Sequence, residues 1–322
     1  MPPTSGRASP PIGTPAWRSR SSCRSPGARI DWGPSRRRST QPLGPDGRTG
    51  ERNGARVELR DSVIVVTGGG SGIGAALCHR FADGSPRHVR VVDRDREGAE
   101  AVAASLRAGG VDATASALDV TDRSAVEELI GGIIGDLGGI DLFCANAGIG
   151  TGAGADADDE VWDQAWQVNV HAHVLAARAL LPHWLDRGRG YLLTTASAAG
   201  LLTNLGDAPY SVTKHAAVAF AEWLSITYGD RGVSVSCLCP QGVRTPLLFG
   251  SLGDGALATE VVKAQRILEP EDVAESVVEA LGAGRFLILP HAEVADYELA
   301  RATDRERWLR AMRRLQASLG SP

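Results

Sequence analysis

Seven short runs of β-branched and apolar residues, separated by stretches of helical character, set the tightest limit on what this chain can fold into. The runs are SVIVVTG (62–68), HVRVVD (88–93), ATASALDV (113–120), IDLFCANAG (140–148), GYLLTTAS (190–197), GVSVSCLCP (232–240) and RFLILP (285–290). Between them, 95–108, 122–134 and 270–282 read as helices, and Pro270 followed by Glu271 and Asp272 marks a helix start. Strands that alternate with helices build a parallel sheet covered on both faces. The expected fold is therefore α/β, a doubly wound seven-stranded parallel sheet in a single domain spanning 57–290. Residues 291–322 follow as a helical tail, with one amphipathic helix expected over 291–318 carrying Trp308, Leu309, Met312 and Leu315 on one side.

Residues 1–56 have a different character. They are rich in Pro, Gly and Ser and carry 11 Arg against Asp31, Asp46 and Glu51, a net of +8, with no apolar periodicity. Such a segment buries too little to offset its ordering entropy, so a disordered extension is expected. A basic arm or a targeting segment fits the Arg and Ser content but not the prolines. The sharp shift in composition favours a translated upstream region, with the true start near Val57. The remaining residues hold 23 basic and 35 acidic side chains, a net of −12. That balance argues against nucleic acid as a partner, because phosphate binding needs a basic face. No run of 18 apolar residues suggests a membrane span. Five cysteines, Cys23, Cys78, Cys144, Cys237 and Cys239, form no disulfide framework and suit a reducing cytoplasm. Cys237 and Cys239 share one strand face without a His or Cys cluster nearby, which makes a poor zinc site, so no metal is expected.

The first strand ends in TGGGSGIG, Thr67 to Gly74, and leads directly into a helix. Glycines at 68, 72 and 74 allow a tight turn and close approach of a pyrophosphate, and the helix N-terminus offers free N–H groups to the anion. Ser71 and Ile73 lie within that turn. In this setting the motif points to a dinucleotide site and to a Rossmann-type sheet. Asp93 ends the second strand 19 residues after Gly74, where an acid can accept from ribose hydroxyls and repel a 2′-phosphate. Arg94 and Arg96 could instead pair with such a phosphate, yet 69–71 contains no basic residue to help them. NAD is therefore expected over NADP.

The chain has 32 arginines and two lysines, and one lysine, Lys214, stands four residues after Tyr210. At that spacing both side chains leave the same helix face. A phenol with an unperturbed pKa near ~10 is a poor base until an adjacent ammonium favours its phenolate. A compact ammonium can do this while donating to ribose hydroxyls, which a planar guanidinium is too large to copy.

These motifs resemble the classical short-chain dehydrogenase/reductase family over about 57–290. The glycine motif matches Thr67, Gly68, Gly72 and Gly74, and Asn146, Ala147 and Gly148 match its Asn-Ala-Gly, which borders the cofactor. Asp119 and Val120 match the pair that holds the adenine. By this resemblance Tyr210 is the acid/base, Ser197 orients the substrate oxygen, Lys214 holds the nicotinamide ribose and tunes Tyr210, and Asn169 fixes a water in the proton relay. Two departures are visible: Ala145 precedes Asn146, and Pro240-Gln241 replaces the usual Pro-Gly. The turn after Pro240 is implied to bind the nicotinamide carboxamide through Val243, with Thr245 nearby. The segment 246–268, beginning with Leu247, Leu248 and Phe249, is implied to frame the substrate as a lid. His171 and His173 are expected to be surface or packing residues.

The resemblance implies an NAD-dependent oxidoreductase that interconverts a secondary alcohol and its ketone. An NADPH-dependent ketoreductase, including a 3-oxoacyl reductase, is the alternative, and a non-catalytic NAD-binding interaction protein is disfavoured by Tyr210. Sugar epimerases of the wider family differ in glycine spacing. The implied partners are a small alcohol or ketone and a second copy of the chain, as a homodimer or homotetramer through helices 159–181 and 209–228.

Overall fold

The structure, a computed structural model, describes residues 57–251 and 266–319. The extension 1–56 and most of the expected lid, 252–265, lie outside the described residues.

Among the described residues the seven expected strands all occur. They are β1 (Val63–Thr67), β2 (His88–Asp93), β3 (Ala113–Ala117), β4 (Leu142–Ala145), β5 (Gly190–Thr195), β6 (Val233–Leu238) and β7 (Leu287–Ile288). Their order is β3-β2-β1-β4-β5-β6-β7, and every pairing is parallel. The chain runs outward from β1 to β3 and then restarts at β4 on the other side of β1. In such sheets ligands bind at this switch point, beyond the carboxyl ends of the strands.

The alternation of side chains along β1 builds two core layers. Val63 and Val65 pack in one with Ile130, Leu180, Trp184 and Leu224, while Ile64 and Val66 pack in the other with Leu77, Phe81, Leu106 and Val277. The first layer lies under α3 (Arg123–Leu137), α5 (Ala172–Arg187) and α7 (Ala208–Tyr228), and the second under α1 (Gly72–Ala82), α2 (Arg96–Ala108) and α8 (Pro270–Ala283). Leu77 and Phe81 are fully buried, and each such side chain stabilises the fold by roughly 1.5–3 kcal/mol. Trp184 also donates from Nε1 to the Ile140 carbonyl at 2.7 Å. Gly190 makes room for that ring, since a Cβ there would lie 2.1 Å from it.

Local signals set the helix ends. Asp95 accepts from Glu97 N to start α2, and Asp122 accepts from Ala125 N to start α3. The α3 and α8 helices end at Gly138 and Gly284, at φ +72° and +65°, a conformation that costs glycine little. The helix α4 (Asp159–Trp166) runs into α5 through a π-turn at Gln167–His171, and α6 (Ala199–Leu202) is a single turn.

Two expectations require correction. The third strand stops at Ala117, because Asp119 accepts from Thr121 N and turns the chain. The tail is two helices rather than one, α9 (Glu293–Thr303) and α10 (Arg305–Leu319). Asp304 breaks the run by leaving helical geometry and accepting from Arg307 N at 2.9 Å, as an N-cap does. Leu309 is 42% exposed and does not share the half-buried side formed by Trp308, Met312 and Leu315.

Candidate active site

The loop between β1 and α1 is a cradle made by the absence of side chains. Gly68 and Gly72 have φ of +64° and +51°. A Cβ at Gly68 would sit 2.9 Å from Ala147 Cα, and one at Gly74 would sit 2.0 Å from the Gly68 carbonyl oxygen. The N-cap of α1, Ser71, makes no side-chain hydrogen bond to the first turn, so those backbone donors remain free for an anion. Behind the cradle, Thr67 Oγ1 donates to Cys144 O and accepts from Asn146 N and Ala147 N, which ties the end of β1 to the end of β4. Asn146 in turn donates to Thr67 O and accepts from Thr195 Oγ1. Asp93 accepts from Gly70 N and Asp95 N, both at 3.0 Å, and so is held facing the loop.

A cavity of about 830 Å³ runs along this edge of the sheet, within the usual ~300–1,000 Å³ of small-molecule sites. Gly68, Ser71, Gly72, Ile73, Asp93 and Arg94 line one end, with Asp119 and Val120 beside them. Asn146, Ala147 and Gly148 line its middle, and Ser197, Tyr210, Lys214, Pro240, Val243 and Leu247 continue the lining, while Thr245 comes back against the glycine loop, its Cγ2 3.0 Å from where a Cβ on Gly72 would stand. Thr67, Gly74 and Asn169 do not line it and act from behind. Side-chain-free loops, free helix N–H groups and an acid at the end of β2 together fit a dinucleotide.

Tyr210 and Lys214 project from the first turns of α7. The ammonium donates to Thr195 O at 3.0 Å and lies 5.5 Å from the centre of the Tyr210 ring. Burial lowers the Lys214 pKa to about 8, partly opposed by Cys237 and Cys239. Burial pushes Tyr210 up to about 12, against a hydrogen bond from Ser197 that lowers it. As it stands the phenol is a proton donor, and added positive charge is needed to make it a base. Ser197 Oγ also accepts from Ala199 N at 3.1 Å, which fixes the hydroxyl at the end of β5.

Asn169 is fully buried in the π-turn. Its amide grips Ile149, accepting from the backbone N–H and donating to the carbonyl, both at 2.9 Å, and also donates to Thr213 Oγ1. One turn later His173 is buried with neither ring nitrogen hydrogen-bonded among the described residues. Burial, and secondarily the Lys214 charge, lowers its pKa to about 3, so it is neutral. His171 is half-buried and paired with Gln167 Oε1.

Sequence reasoning missed three contributors. Asp207 is buried, accepts from Tyr210 N, Thr151 N, Thr151 Oγ1 and Gly152 N, and so fixes both the start of α7 and the loop after β4. Its place three residues before Tyr210 is an N-cap signal. His291 accepts at Nδ1 from Gln241 N, which supports the turn that lacks the usual glycine. Tyr297, Trp308, Met312 and Leu315 from α9 and α10 form one wall of the cavity; the i, i+4, i+7 spacing of the last three was visible, but not what it covers.

A nucleotide cradle at the switch point of a doubly wound sheet, joined to a Tyr–Lys pair, defines a nicotinamide-dependent oxidoreductase. The family model of short chain dehydrogenase matches residues 62–251, and the chain belongs to that family. It is 38% identical over 241 residues to a 1-deoxy-11-beta-hydroxypentalenate dehydrogenase of Streptomyces exfoliatus, covering 74% of this chain and 86% of that one. A short chain dehydrogenase/reductase of Burkholderia phymatum in complex with NAD superposes with a TM-score of 0.71 at 27% identity, covering 78% of this chain and 96% of the other. A Beutenbergia cavernae structure with NADP at low occupancy superposes with a TM-score of 0.66 at 27% identity, covering 74% and 98%. The chain is thus an oxidoreductase acting on CH–OH groups, in a family whose members bind NAD or NADP. No helix among the described residues is long and apolar enough to cross a membrane.

Proposed function

We propose that this protein is an NAD(H)-dependent oxidoreductase that interconverts a secondary alcohol and its ketone, with Tyr210 as general acid/base. The observation that carries the reading is the Tyr210–Lys214 pair beside Ser197 in the cavity that Asp93 also lines. When bound, the nicotinamide supplies the hydride acceptor for oxidation and the hydride donor for reduction. In oxidation Tyr210 takes the hydroxyl proton as the carbinol C–H leaves as hydride, so the alcohol loses two electrons and two hydrogens to become the ketone. In reduction Tyr210 returns the proton. Ser197 donates to the substrate oxygen, and the Lys214 ammonium, together with the positive charge an oxidised nicotinamide would add, favours the Tyr210 phenolate. Asn169 holds the Ile149 loop against the site from behind, and the resemblance gives it a water in the proton relay.

Asp93 supports NAD, because its carboxylate stands where a 2′-phosphate would be repelled. Arg94 lines the same end and favours the second reading, an NADP-linked ketoreductase. The relative from Streptomyces exfoliatus is named for an 11-beta-hydroxy substrate, which supports an alcohol as the substrate here. Exposed Trp166, Val212, Trp223 and Ile226 on α4 and α7 support assembly of copies through those helices. The described cysteines are free and buried, which suits a reducing cytoplasm.

The test is reduction of NAD and NADP, side by side, over secondary alcohols from alicyclic to steroid and acyl types. NAD should give the higher kcat/KM, and Asp93→Ser should lose NAD affinity and gain some for NADP. A wild-type preference for NADP would overturn the cofactor assignment.

A further inference from the structure

We propose that the C-terminal helix pair α9–α10 is the substrate-selecting wall of the active site, and that it selects a bulky, uncharged alicyclic carbinol over small aliphatic alcohols. The inference rests on the oxidoreductase reading and names the substrate class of that same site.

Tyr297, Trp308, Met312 and Leu315 line the cavity that holds Tyr210 and Ser197. On α10 the inward positions follow helical spacing, while Arg305, Arg307, Arg310, Arg313 and Arg314 are all exposed on the outer faces. The helix therefore offers the cavity an aromatic ring, a thioether and a leucine, and keeps its cations in water. Leu202 and Leu205 belong to the same lining. Such a wall is matched by hydrocarbon, and Met lets it adapt to an irregular ring system.

Charge in the cavity points the same way. The cations among its described lining residues are Arg94, at the Asp93 end, and Lys214, which is committed to Thr195 O and Tyr210. Asp207 is saturated by four hydrogen bonds. The described substrate half thus contains no free charge to recognise a carboxylate or a phosphate arm.

The wall is anchored through α9, to which α10 is tied by one aromatic contact. Val294 is fully buried, the Tyr297 and Trp308 rings meet with centroids 6.4 Å apart, and Arg301 reaches His215 of α7 at 3.4 Å. It also lies beyond residues 62–251, the stretch matched by the family model, so its contacts are supplied by this chain's own tail. A short alcohol bound at Tyr210 can bury less of this apolar surface than a bicyclic one, a difference that hydrophobic pockets convert into about tenfold or more in kcat/KM.

The experiment compares borneol, a bicyclic secondary alcohol, with 2-butanol, using the full chain and NAD. Wild type should favour borneol, and Trp308→Ala and Met312→Ala should each lower the borneol to 2-butanol ratio of kcat/KM at least tenfold. Leu309→Ala, on the exposed side of the same helix, should leave the ratio within twofold. Trp308→Phe and Met312→Leu guard against misfolding and should recover most of the preference. An unchanged ratio in both alanine variants, or equal losses for the two alcohols, would overturn the proposal. If wild type oxidises neither alcohol, no ratio can be read, and the broader secondary-alcohol screen tests the oxidoreductase reading separately. Calorimetric binding of camphor to the NADH-loaded protein then decides the wall: tenfold weaker binding in Trp308→Ala supports it, and no binding to wild type or equal binding overturns it.

Discussion

Replacing His173 with leucine should flatten the acid side of the stability curve. In the folded protein the imidazole is buried, unpartnered among the described residues and close enough to feel the Lys214 ammonium, and its pKa falls from 6.5 to about 3. A base whose folded pKa lies below its unfolded one is protonated first in the unfolded chain. Stability is therefore complete above pH 6.5 and is lost as pH falls toward 3, at up to ~1.4 kcal/mol per pH unit. Between pH 7.5 and pH 5 the loss from this residue is about 2 kcal/mol, a sizeable part of the ~5–15 kcal/mol that stabilises a domain. His183 and His291 are also depressed by burial, but they titrate in both proteins and cancel in the comparison. Urea unfolding followed by circular dichroism at fixed protein concentration, at half-unit steps from pH 7.5 to 5, measures the difference directly. The leucine variant loses a ring and packs differently, so its absolute stability is not the readout; the slope is. Parallel curves for wild type and variant would show that His173 is protonated or solvated in the folded state, and the reasoning would fail.

Two further substitutions test the scaffold under the site. Gly200→Ala places a Cβ 2.5 Å from the Lys214 carbonyl oxygen, forcing α6 away from α7; a stability loss of about 1–3 kcal/mol by thermal melt and a fall in kcat of order 10²-fold are expected. Asp207→Asn turns one acceptor into a donor facing N–H groups, so a loss of about 1–3 kcal/mol is expected in urea titrations, and unchanged stability would show that the Thr151–Gly152 loop is held by something else.

Much of the fold was legible because its signals are local. Val63 to Val66 announce a strand buried on both faces, Asp95 and Asp122 announce helix starts, and the Gly68–Gly72–Gly74 spacing announces a turn that side chains would block. Tyr210 and Lys214 were legible for the same reason, being one helical turn apart. What escaped depends on distant contacts. Asp207 reads as an ordinary cap until Thr151, 56 residues earlier, is seen on its carboxylate, and His291 gains meaning only from Gln241, 50 residues away. The apolar spacing in the tail was correct over Trp308–Leu315, but it continued through Asp304, where a side-chain bond to Arg307 N outweighs helix continuity. Leu309 was placed on the wrong side because apolar character does not say which of two adjacent positions faces inward.

Lys214 remains the residue on which the chemistry turns. Its Nζ and the Asn169 Oδ1 each lie 3.2 Å from where a Cβ on Gly148 would stand, so the Gly148 side of the ammonium has no room for a larger group. A guanidinium carries five donors in a planar fork, and once buried here it would have to find partners for all of them. It also holds its proton at any working pH, whereas burial has already brought Lys214 to about 8. Charge alone would make Lys214→Arg mild. Shape and hydrogen bonding predict instead that it loses at least about 100-fold in kcat and weakens NADH binding, because the fork displaces Gly148 or Asn169. Tyr210→Phe should lose about 10²–10⁴-fold in turnover, the range for a removed acid/base, and keep its NADH affinity. Steady-state kinetics and NADH fluorescence titration separate the two patterns. Near-normal turnover in Lys214→Arg would mean that positive charge suffices, and would leave a chain with 32 arginines without a physical reason for placing lysine there.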